Sequence, residues 1–259
     1  MSTTSTPPER KSWLARNRKL LAQNPRLFLQ KLATWLRPMR QDYRRRWDRG
    51  LRRWLIRYHT GILFDKVTWM GLPAWKNVLD AWVYQEIVHE VRPEIIIEIG
   101  NARGGSTLYL ANLLDLVGRG EVIGVDIDHS KFQARHPRIA TVTGDSLAPE
   151  TLARVEELAR GRQGLVIHDG DHSYEHVLGD LKAYARFVQV GGYFVVEDTI
   201  IDLFKAGDGL GSVNGPLGAV EQFVREDPRF QVDERREAFV LTFNPRGYLR
   251  RVGDSTSGQ

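Results

Sequence analysis

The sequence predicts an α/β protein built on a Rossmann-like, doubly wound and mostly parallel sheet. Apolar, β-branched runs alternate with helical patterns through most of the chain after residue 75, and strands interleaved with helices favour a parallel sheet covered on both faces. The first run, Ile95–Ile99, leads into a glycine-rich turn and then a helical pattern. This strand, loop and helix are typical of the opening unit of a nucleotide-binding domain.

Charge divides the chain into a basic arm and an acidic body. Residues 1–60 hold 16 Lys and Arg against three acidic residues, a net charge of +13, which leaves −8 for the rest of the chain. Trp and Leu recur at roughly helical spacing within residues 10–57, so the arm is predicted to form basic amphipathic helices. We predict the arm over residues 1–60, a single α/β domain over residues 61–250 and a flexible tail over residues 251–259.

Two functions of the arm agree with this pattern. Its apolar stripe can pack on the body or on another subunit of a homo-oligomer, while the arginines stay solvated. Trp and Leu opposite Arg is also the composition of a helix on anionic lipid. No module that reads nucleic acid is recognisable, so no specific nucleic-acid partner is expected. No apolar run approaches the roughly 20 residues of a membrane span, and we expect a cytoplasmic protein with, at most, peripheral contact at the inner membrane face.

The elements of the body follow one another with short connections. Several strands end in an acidic residue, and such ends meet at one edge of a parallel sheet, where these folds bind ligands. The predicted strands cover residues 95–99, 121–126, 139–143, 164–169, 193–197, 230–234 and 238–243, and the predicted helices cover residues 75–91, 106–116, 149–160, 174–187 and 219–226.

The glycine loop after the first strand argues against a dinucleotide. Dinucleotide loops follow Gly-x-Gly-x-x-Gly, whereas this loop has Gly100, Gly104 and Gly105, preceded by the acid Glu98. A carboxylate there would repel a pyrophosphate but could bind the ammonium or hydroxyl groups of a ligand with an amino-acid end. The pattern acid-x-Gly-x-x-x-Gly is similar to the first motif of S-adenosylmethionine (SAM)-dependent methyltransferases.

Later strand ends add two acids to this predicted cofactor site. Asp126 is placed to accept hydrogen bonds from ribose hydroxyls, and Gly144-Asp145-Ser146 resembles the segment that contacts the adenine amine. A tight strand-to-helix turn that binds no ligand is the alternative interpretation of Glu98 and the glycines. The predicted cofactor residues are Glu98, Gly100, Gly104, Ser106, Asp126 and Asp145.

Acids at the tips of two further strands predict a metal site. Asp169 ends one strand, and Glu197 and Asp198 end the next. Three carboxylates with no soft donor favour Mg²⁺ or another hard divalent cation. Such an ion can bind both oxygens of a substrate and lower the pKa of a hydroxyl. His172, three residues after Asp169, is the expected base; the alternative is a histidine at the N-terminus of a helix that only caps Asp171 or the turn.

A series of motifs over roughly residues 65–245 carries a family resemblance. The motifs are Trp69-Met70-Gly71, residues 82–87, Arg92-Pro93, Glu98-Ile99-Gly100 through Gly104-Gly105-Ser106, residues 169–177, and Val196-Glu197-Asp198-Thr199. Together they resemble the cephalosporin hydroxylase family. Despite that name, its members resemble class I methyltransferases and include O-methyltransferases that act on natural products and on rhamnosyl residues of glycolipids.

The resemblance implies a SAM- and Mg²⁺-dependent O-methyltransferase acting on a hydroxyl of a sugar or another secondary metabolite, as in natural product biosynthesis. It implies that Asp169, Glu197 and Asp198 hold the metal, with Asp171 as an alternative to Asp169. The arm lies outside the resemblance. Two other functions stay open: a nicotinamide-dependent oxidoreductase, against which Glu98 argues, and a non-catalytic scaffold that attaches a partner to a membrane through the arm.

Overall fold

The computed structural model describes residues 49–204 and 214–254, together with residues 25, 28 and 29. The chain divides into two units between residues 42 and 43. Residues 25, 28 and 29 of the smaller unit are helical, and every feature discussed below belongs to the larger unit. The predictions for the rest of the arm up to residue 48, and for the tail over residues 255–259, lie outside the described residues.

The larger unit alternates helices and strands from end to end. In chain order its elements are α1 (Arg49–Tyr58), a π-helical turn (His59–Leu63), α2 (Phe64–Lys66), β1 (Thr68–Trp69), β2 (Leu72–Pro73), α3 (Val78–Val91), β3 (Ile95–Ile99), α4 (Gly105–Val117), β4 (Glu121–Asp126), β5 (Ile139–Thr143), α5 (Pro149–Ala159), β6 (Leu165–His168), α6 (Tyr174–Tyr184), a 3₁₀ turn (Ala185–Phe187), β7 (Tyr193–Val196), a 3₁₀ turn (Thr199–Leu203), α7 (Pro216–Glu226), β8 (Phe230–Val232), a 3₁₀ turn (Glu234–Glu237) and β9 (Tyr248–Arg251).

Seven of these strands form one sheet in the order β5-β4-β3-β6-β7-β9-β8. Neighbours from β5 to β7 are parallel, and β9 runs antiparallel to both β7 and β8. Strand β3 is buried along its whole length, and successive side chains of a strand point to opposite faces. Ile95, Ile97 and Ile99 therefore join one hydrophobic cluster, and Ile96 joins a second one on the opposite face. The sheet confirms the predicted Rossmann-like fold class.

One predicted strand is wrong. Residues 238–243, all of them described, form turns, and the closing strand is β9. The backbone groups of Phe243, which in a strand would pair with a neighbouring strand, bond to other elements instead. Its amide donates to the buried carboxylate of Asp80 (2.8 Å), and its carbonyl accepts from the amide of Ile200 (3.0 Å). The apolar run of this segment ends in Phe243, which is buried against other elements.

Helix α1, which comes from residues assigned to the basic arm, packs within the larger unit. Leu55 and Tyr58 are buried in a cluster whose other members come from later in the chain, and Arg53 and Trp54 are exposed. The further buried members of this cluster are Leu63, Ile200, Phe204 and Phe243. The division of the chain at residue 60 stays a prediction. No helix in the described part of the chain is long and apolar enough to cross a membrane.

Candidate active site

A cavity of about 730 Å³ lies over the carboxyl ends of the parallel strands. Its volume is within the range of small-molecule sites, and its position is where doubly wound folds bind ligands. The predicted site residues that line it are Gly100, Ser106, Asp126, Asp145, Asp169, Asp171, His172 and Asp198. Glu98, Gly104 and Glu197 do not line it.

The glycine loop closes tightly over the end of strand β6. Gly100 has φ +80°, and a Cβ added to it would lie 2.2 Å from the carbonyl oxygen of Asp169. The carboxylate of Asp126 fixes this loop, because its Oδ2 accepts the amides of Asn101 (2.9 Å) and Ala102 (2.8 Å). The loop, the end of β4 and the start of the Asp169 segment thus form one connected floor of the cavity.

Glu98 lies beneath this floor and is fully buried. Thr107 donates its hydroxyl proton to Glu98, and the Lys76 ammonium lies 3.9 Å from Glu98 Oε1. Burial raises the pKa of Glu98, and Lys76 acts in the opposite direction. The nearby Gly104, with φ +86°, precedes helix α4, where an added Cβ would lie 2.6 Å from the Phe132 ring.

The predicted adenine segment forms another part of the cavity wall. Asp145 Oδ1 accepts the amide of Leu147 (2.9 Å). His176 of helix α6 reaches the same place, with its Nε2 3.0 Å from Ser146 Oγ and 3.7 Å from Asp145 Oδ1. The wall therefore offers a carboxylate, a hydroxyl and an imidazole to a ligand.

The structure brings Asp169, His172 and Asp198 together. One candidate ligand atom from each lies within 4.8 Å of the others, and His172 Nε2 is 3.7 Å from Asp169 Oδ1 and 3.6 Å from Asp198 Oδ2. Asp171 is outside this group. Its Oδ1 accepts the amide of Ser173 (2.7 Å), the residue before helix α6, and that bond lowers the pKa of Asp171.

Glu197 has different partners from its neighbour Asp198. Its Oε1 accepts from Lys76 Nζ (2.6 Å) and from the Tyr84 hydroxyl (2.7 Å), and it is not part of the three-residue group. Burial, together with the charge of Asp169, raises the pKa of Glu197 well above its ordinary value, although Lys76 opposes the shift. The two adjacent acids thus face two different environments.

Two functional candidates were missed by the sequence analysis. Lys76 is 4% exposed, and its Nζ lies 2.6 Å from Asp169 Oδ2 as well as from Glu197. A single charge just after the apolar residues 72–75 is the one signal that could have indicated it. His59, in the π-helical turn, lies with Nε2 3.9 Å from Asp198 Oδ2. No signal indicated it, because a π-turn has no sequence pattern of its own.

His59, His172 and Lys76 act together on the pKa of Asp198. Burial acts to raise the pKa of Asp198, but His59, His172 and Lys76 outweigh it, and the pKa is lowered. An ionised carboxylate beside Asp169 is an oxygen donor set suited to a hard divalent cation. The acids at the other end of the cavity can accept hydrogen bonds from hydroxyl and amino groups. The residues present fit both a divalent cation and a ligand that carries ribose hydroxyls and an amine.

These features define the class of the protein, a Rossmann-like enzyme with a cofactor-sized cavity and an acidic centre above its sheet. Residues 62–252 match the sequence model of the rhamnosyl O-methyltransferase/CmcI family. The chain belongs to this family, and it is a SAM-dependent O-methyltransferase. The resemblance drawn from the motifs is thereby confirmed.

Individual relatives agree with this assignment. A rhamnosyl O-methyltransferase of Mycobacterium tuberculosis is 35% identical over 202 residues, which are 75% of this chain and 82% of the relative. The 8-demethyl-8-alpha-L-rhamnosyl tetracenomycin-C 2'-O-methyltransferase of Streptomyces olivaceus is 33% identical over 124 residues, 46% of this chain and 32% of the relative. A solved structure of CmcI with Mg and SAM matches with a TM-score of 0.57 and 25% identity, covering 73% of this chain and 78% of that chain.

Proposed function

We propose that this O-methyltransferase transfers the methyl group of SAM to a hydroxyl of a sugar-linked small molecule and that a divalent cation assists the reaction. The observation that carries the proposal is the group of Asp169, His172 and Asp198 in the same cavity as the glycine loop. This arrangement puts a candidate base and candidate metal ligands beside the expected place of the methyl donor.

The cofactor would lie along the loop side of the cavity. Gly100 and Ser106 line the cavity from the glycine loop and the start of helix α4. Asp126 and Asp145 line it from the ends of the next two strands. Carboxylates at these strand ends would accept hydrogen bonds from the ribose hydroxyls and the adenine amine. Glu98 and Gly104 lie outside the cavity lining, so they would act by holding the loop and helix α4 in place.

The cation, with Mg²⁺ as the preferred species, would be held by Asp169 and Asp198. Glu197 keeps its predicted role as a third ligand in this proposal, through the oxygen that does not bond to Lys76 and Tyr84. When bound, the ion would lower the pKa of an acceptor hydroxyl and make its oxygen a better nucleophile. The sequence alternative, Asp171, has less support because its carboxylate accepts the amide of Ser173, the residue before the next helix.

His172 would accept the proton that the hydroxyl loses. Its Nε2 faces the two carboxylates Asp169 and Asp198, which would stabilise the imidazolium that forms. An aromatic and apolar wall, which includes Phe64 and Trp75, would exclude water and contact the less polar part of the acceptor. The rhamnosyl substrates in the names of two relatives support a glycosylated acceptor.

The test is methyl transfer from isotope-labelled SAM to rhamnosylated acceptors and to the same molecules without the sugar, read by mass spectrometry. We expect one methyl group on the glycosylated acceptors, and no product with a chelator present although SAM stays bound. The variant His172→Ala should lose activity, whereas His89→Ala, at an exposed position of helix α3, should not. Full turnover in a metal-free preparation would refute the role of the cation.

We also propose, from the +13 charge of residues 1–60, that the arm assembles subunits into a homo-oligomer or binds anionic lipid. Deletion of residues 1–48 keeps helix α1 and would separate the two roles. Light scattering reports a change of mass, and co-sedimentation with vesicles of phosphatidylglycerol reports attachment. Lipid attachment should weaken with added salt, since exposed charges are screened within about 10 Å at 0.1 M ionic strength. A deletion that changes neither reading would refute both roles.

A further inference from the structure

The ammonium of Lys76 lies among two buried carboxylates and one partly buried carboxylate. Its Nζ is 2.6 Å from Asp169 Oδ2, 2.6 Å from Glu197 Oε1 and 3.9 Å from Glu98 Oε1. Buried charges are strongly unfavourable unless they are paired. This lysine therefore neutralises part of the negative charge that the ends of strands β3, β6 and β7 bring together.

The backbone around Lys76 fixes its direction. Trp75 has φ +50°, a left-handed conformation that is uncommon for a bulky residue. Asn77 then caps helix α3, with its Oδ1 accepting the amide of Leu79 (3.1 Å), and its Nδ2 donates to Asp80 (2.9 Å). With both neighbours held in this way, the Lys76 side chain is directed inward rather than toward solvent.

Lys76 also gives the two adjacent acids at the end of strand β7 different partners. Glu197 receives two donors, Lys76 and Tyr84, whereas Asp198 faces His59 and His172. A carboxylate that already has a cationic partner does not need a metal ion to be stable in a buried place. The total charge that a metal ion would meet is also one unit less negative than the acids alone would give.

We propose that Lys76 is a positioning residue that acts as a built-in counter-cation: it holds Asp169 and Glu197 in place when no divalent ion is bound, and it weakens the affinity of the site for such an ion. This proposal rests on the metal site of the proposed function. It goes beyond that function because it assigns to this lysine the control of how tightly the ion is held.

The experiment compares the wild type with Lys76→Met, which keeps the length of the side chain and removes its charge. Binding of Mn²⁺ is measured by electron paramagnetic resonance of the free ion, and thermal unfolding is followed with chelator and with Mn²⁺. We expect the variant to unfold at a lower temperature in chelator, to recover more stability from Mn²⁺ than the wild type does, and to bind Mn²⁺ about tenfold more tightly, which is about 1.4 kcal/mol.

Two further variants separate charge compensation from simple packing. Lys182→Met removes an exposed lysine paired with Glu226 at 2.8 Å, and it should change neither reading. Lys76→Met combined with Glu197→Gln removes one positive and one negative charge together, so it should regain most of the unfolding temperature in chelator. If Lys76→Met alone fails to fold and the double variant folds, the compensation is supported.

Two results would overturn the proposal: Mn²⁺ affinity in Lys76→Met that is equal to or weaker than that of the wild type, and a double variant no more stable in chelator than Lys76→Met. A wild type that binds no Mn²⁺ at all would refute the proposed metal site and, with it, the control of affinity. The thermal comparison in chelator would still decide whether Lys76 holds the two carboxylates.

Discussion

Replacing Gly100 with alanine is expected to damage the cofactor and metal sites together. Gly100 has φ +80°, and the new Cβ would lie 2.2 Å from the carbonyl oxygen and 2.5 Å from the carbonyl carbon of Asp169. Both are backbone atoms, which cannot rotate away as a flexible side chain can. Either the glycine loop or the segment that carries Asp169 must therefore move.

The cost has two parts that a matched variant separates. A left-handed conformation costs an alanine about 1 to 2 kcal/mol, and forcing an extra carbon into a packed site costs about 1 to 3 kcal/mol more. Gly118 has nearly the same φ, +82°, and nothing lies within 4 Å of its added Cβ. We expect Gly118→Ala to lower the free energy of unfolding by about 1 to 2 kcal/mol and Gly100→Ala by about 2 to 5 kcal/mol.

Three measurements test this reasoning. Chemical denaturation gives the two losses of stability, calorimetry gives SAM affinity, and Mn²⁺ binding reports on Asp169. We expect Gly100→Ala to weaken SAM by at least about tenfold, or about 1.4 kcal/mol, and to weaken Mn²⁺ as well, while Gly118→Ala changes neither affinity. Equal stability losses in the two variants, with SAM affinity unchanged in Gly100→Ala, would refute the close approach of the loop to Asp169.

Three other predictions concern single carboxylates and the base. Asp126→Ala leaves two loop amides without their acceptor and should weaken SAM by about 1 to 3 kcal/mol; an unchanged dissociation constant in calorimetry would remove Asp126 from the site. His172→Ala should lower turnover about 10²-fold with SAM affinity unchanged, and activity equal to that of His89→Ala would exclude it as the base. Burial raises the pKa of the Asp80 carboxyl group from 3.8 to about 6. The folded state therefore binds the proton of this carboxyl group more tightly than the unfolded state does. The stability that this proton contributes is lost as pH rises from about 4 through 6. Asp80→Asn should abolish this fall of about 3 kcal/mol in the free energy of unfolding, measured by chemical denaturation at several pH values. Parallel pH profiles of the wild type and the variant would contradict the prediction.

The sequence predicted the fold well where burial alone decides the structure. Strands β3, β4 and β5 have the predicted bounds. Strands β3 and β4 are buried along most of their length, and such apolar runs between turns have few other places in a compact domain. Helix α3 begins at Val78 rather than at residue 75, since Asn77 caps it. The strand over residues 238–243 failed because its partners, Asp80 and Ile200, are far away in the chain.

The candidate site was predicted only as far as the strand ends could show. Asp169 and Asp198 lie close together, as expected for strand ends that meet at one edge, and His172 lies beside them. The orientation of each carboxylate oxygen depends on residues that this expectation does not include. Lys76 is 93 residues from Asp169 and 121 from Glu197, and contacts over such separations arise from tertiary packing, not from local pattern.

The π-helical turn has a practical consequence for any work with shortened forms of this enzyme. The family match begins at residue 62, inside the turn His59–Leu63. A chain trimmed to the matched span would lose Leu55 and Tyr58, and with them the cover over Phe243. The trimmed protein would expose an apolar surface next to the candidate active-site cavity, so its aggregation or low activity would reflect the choice of cut rather than a property of the enzyme.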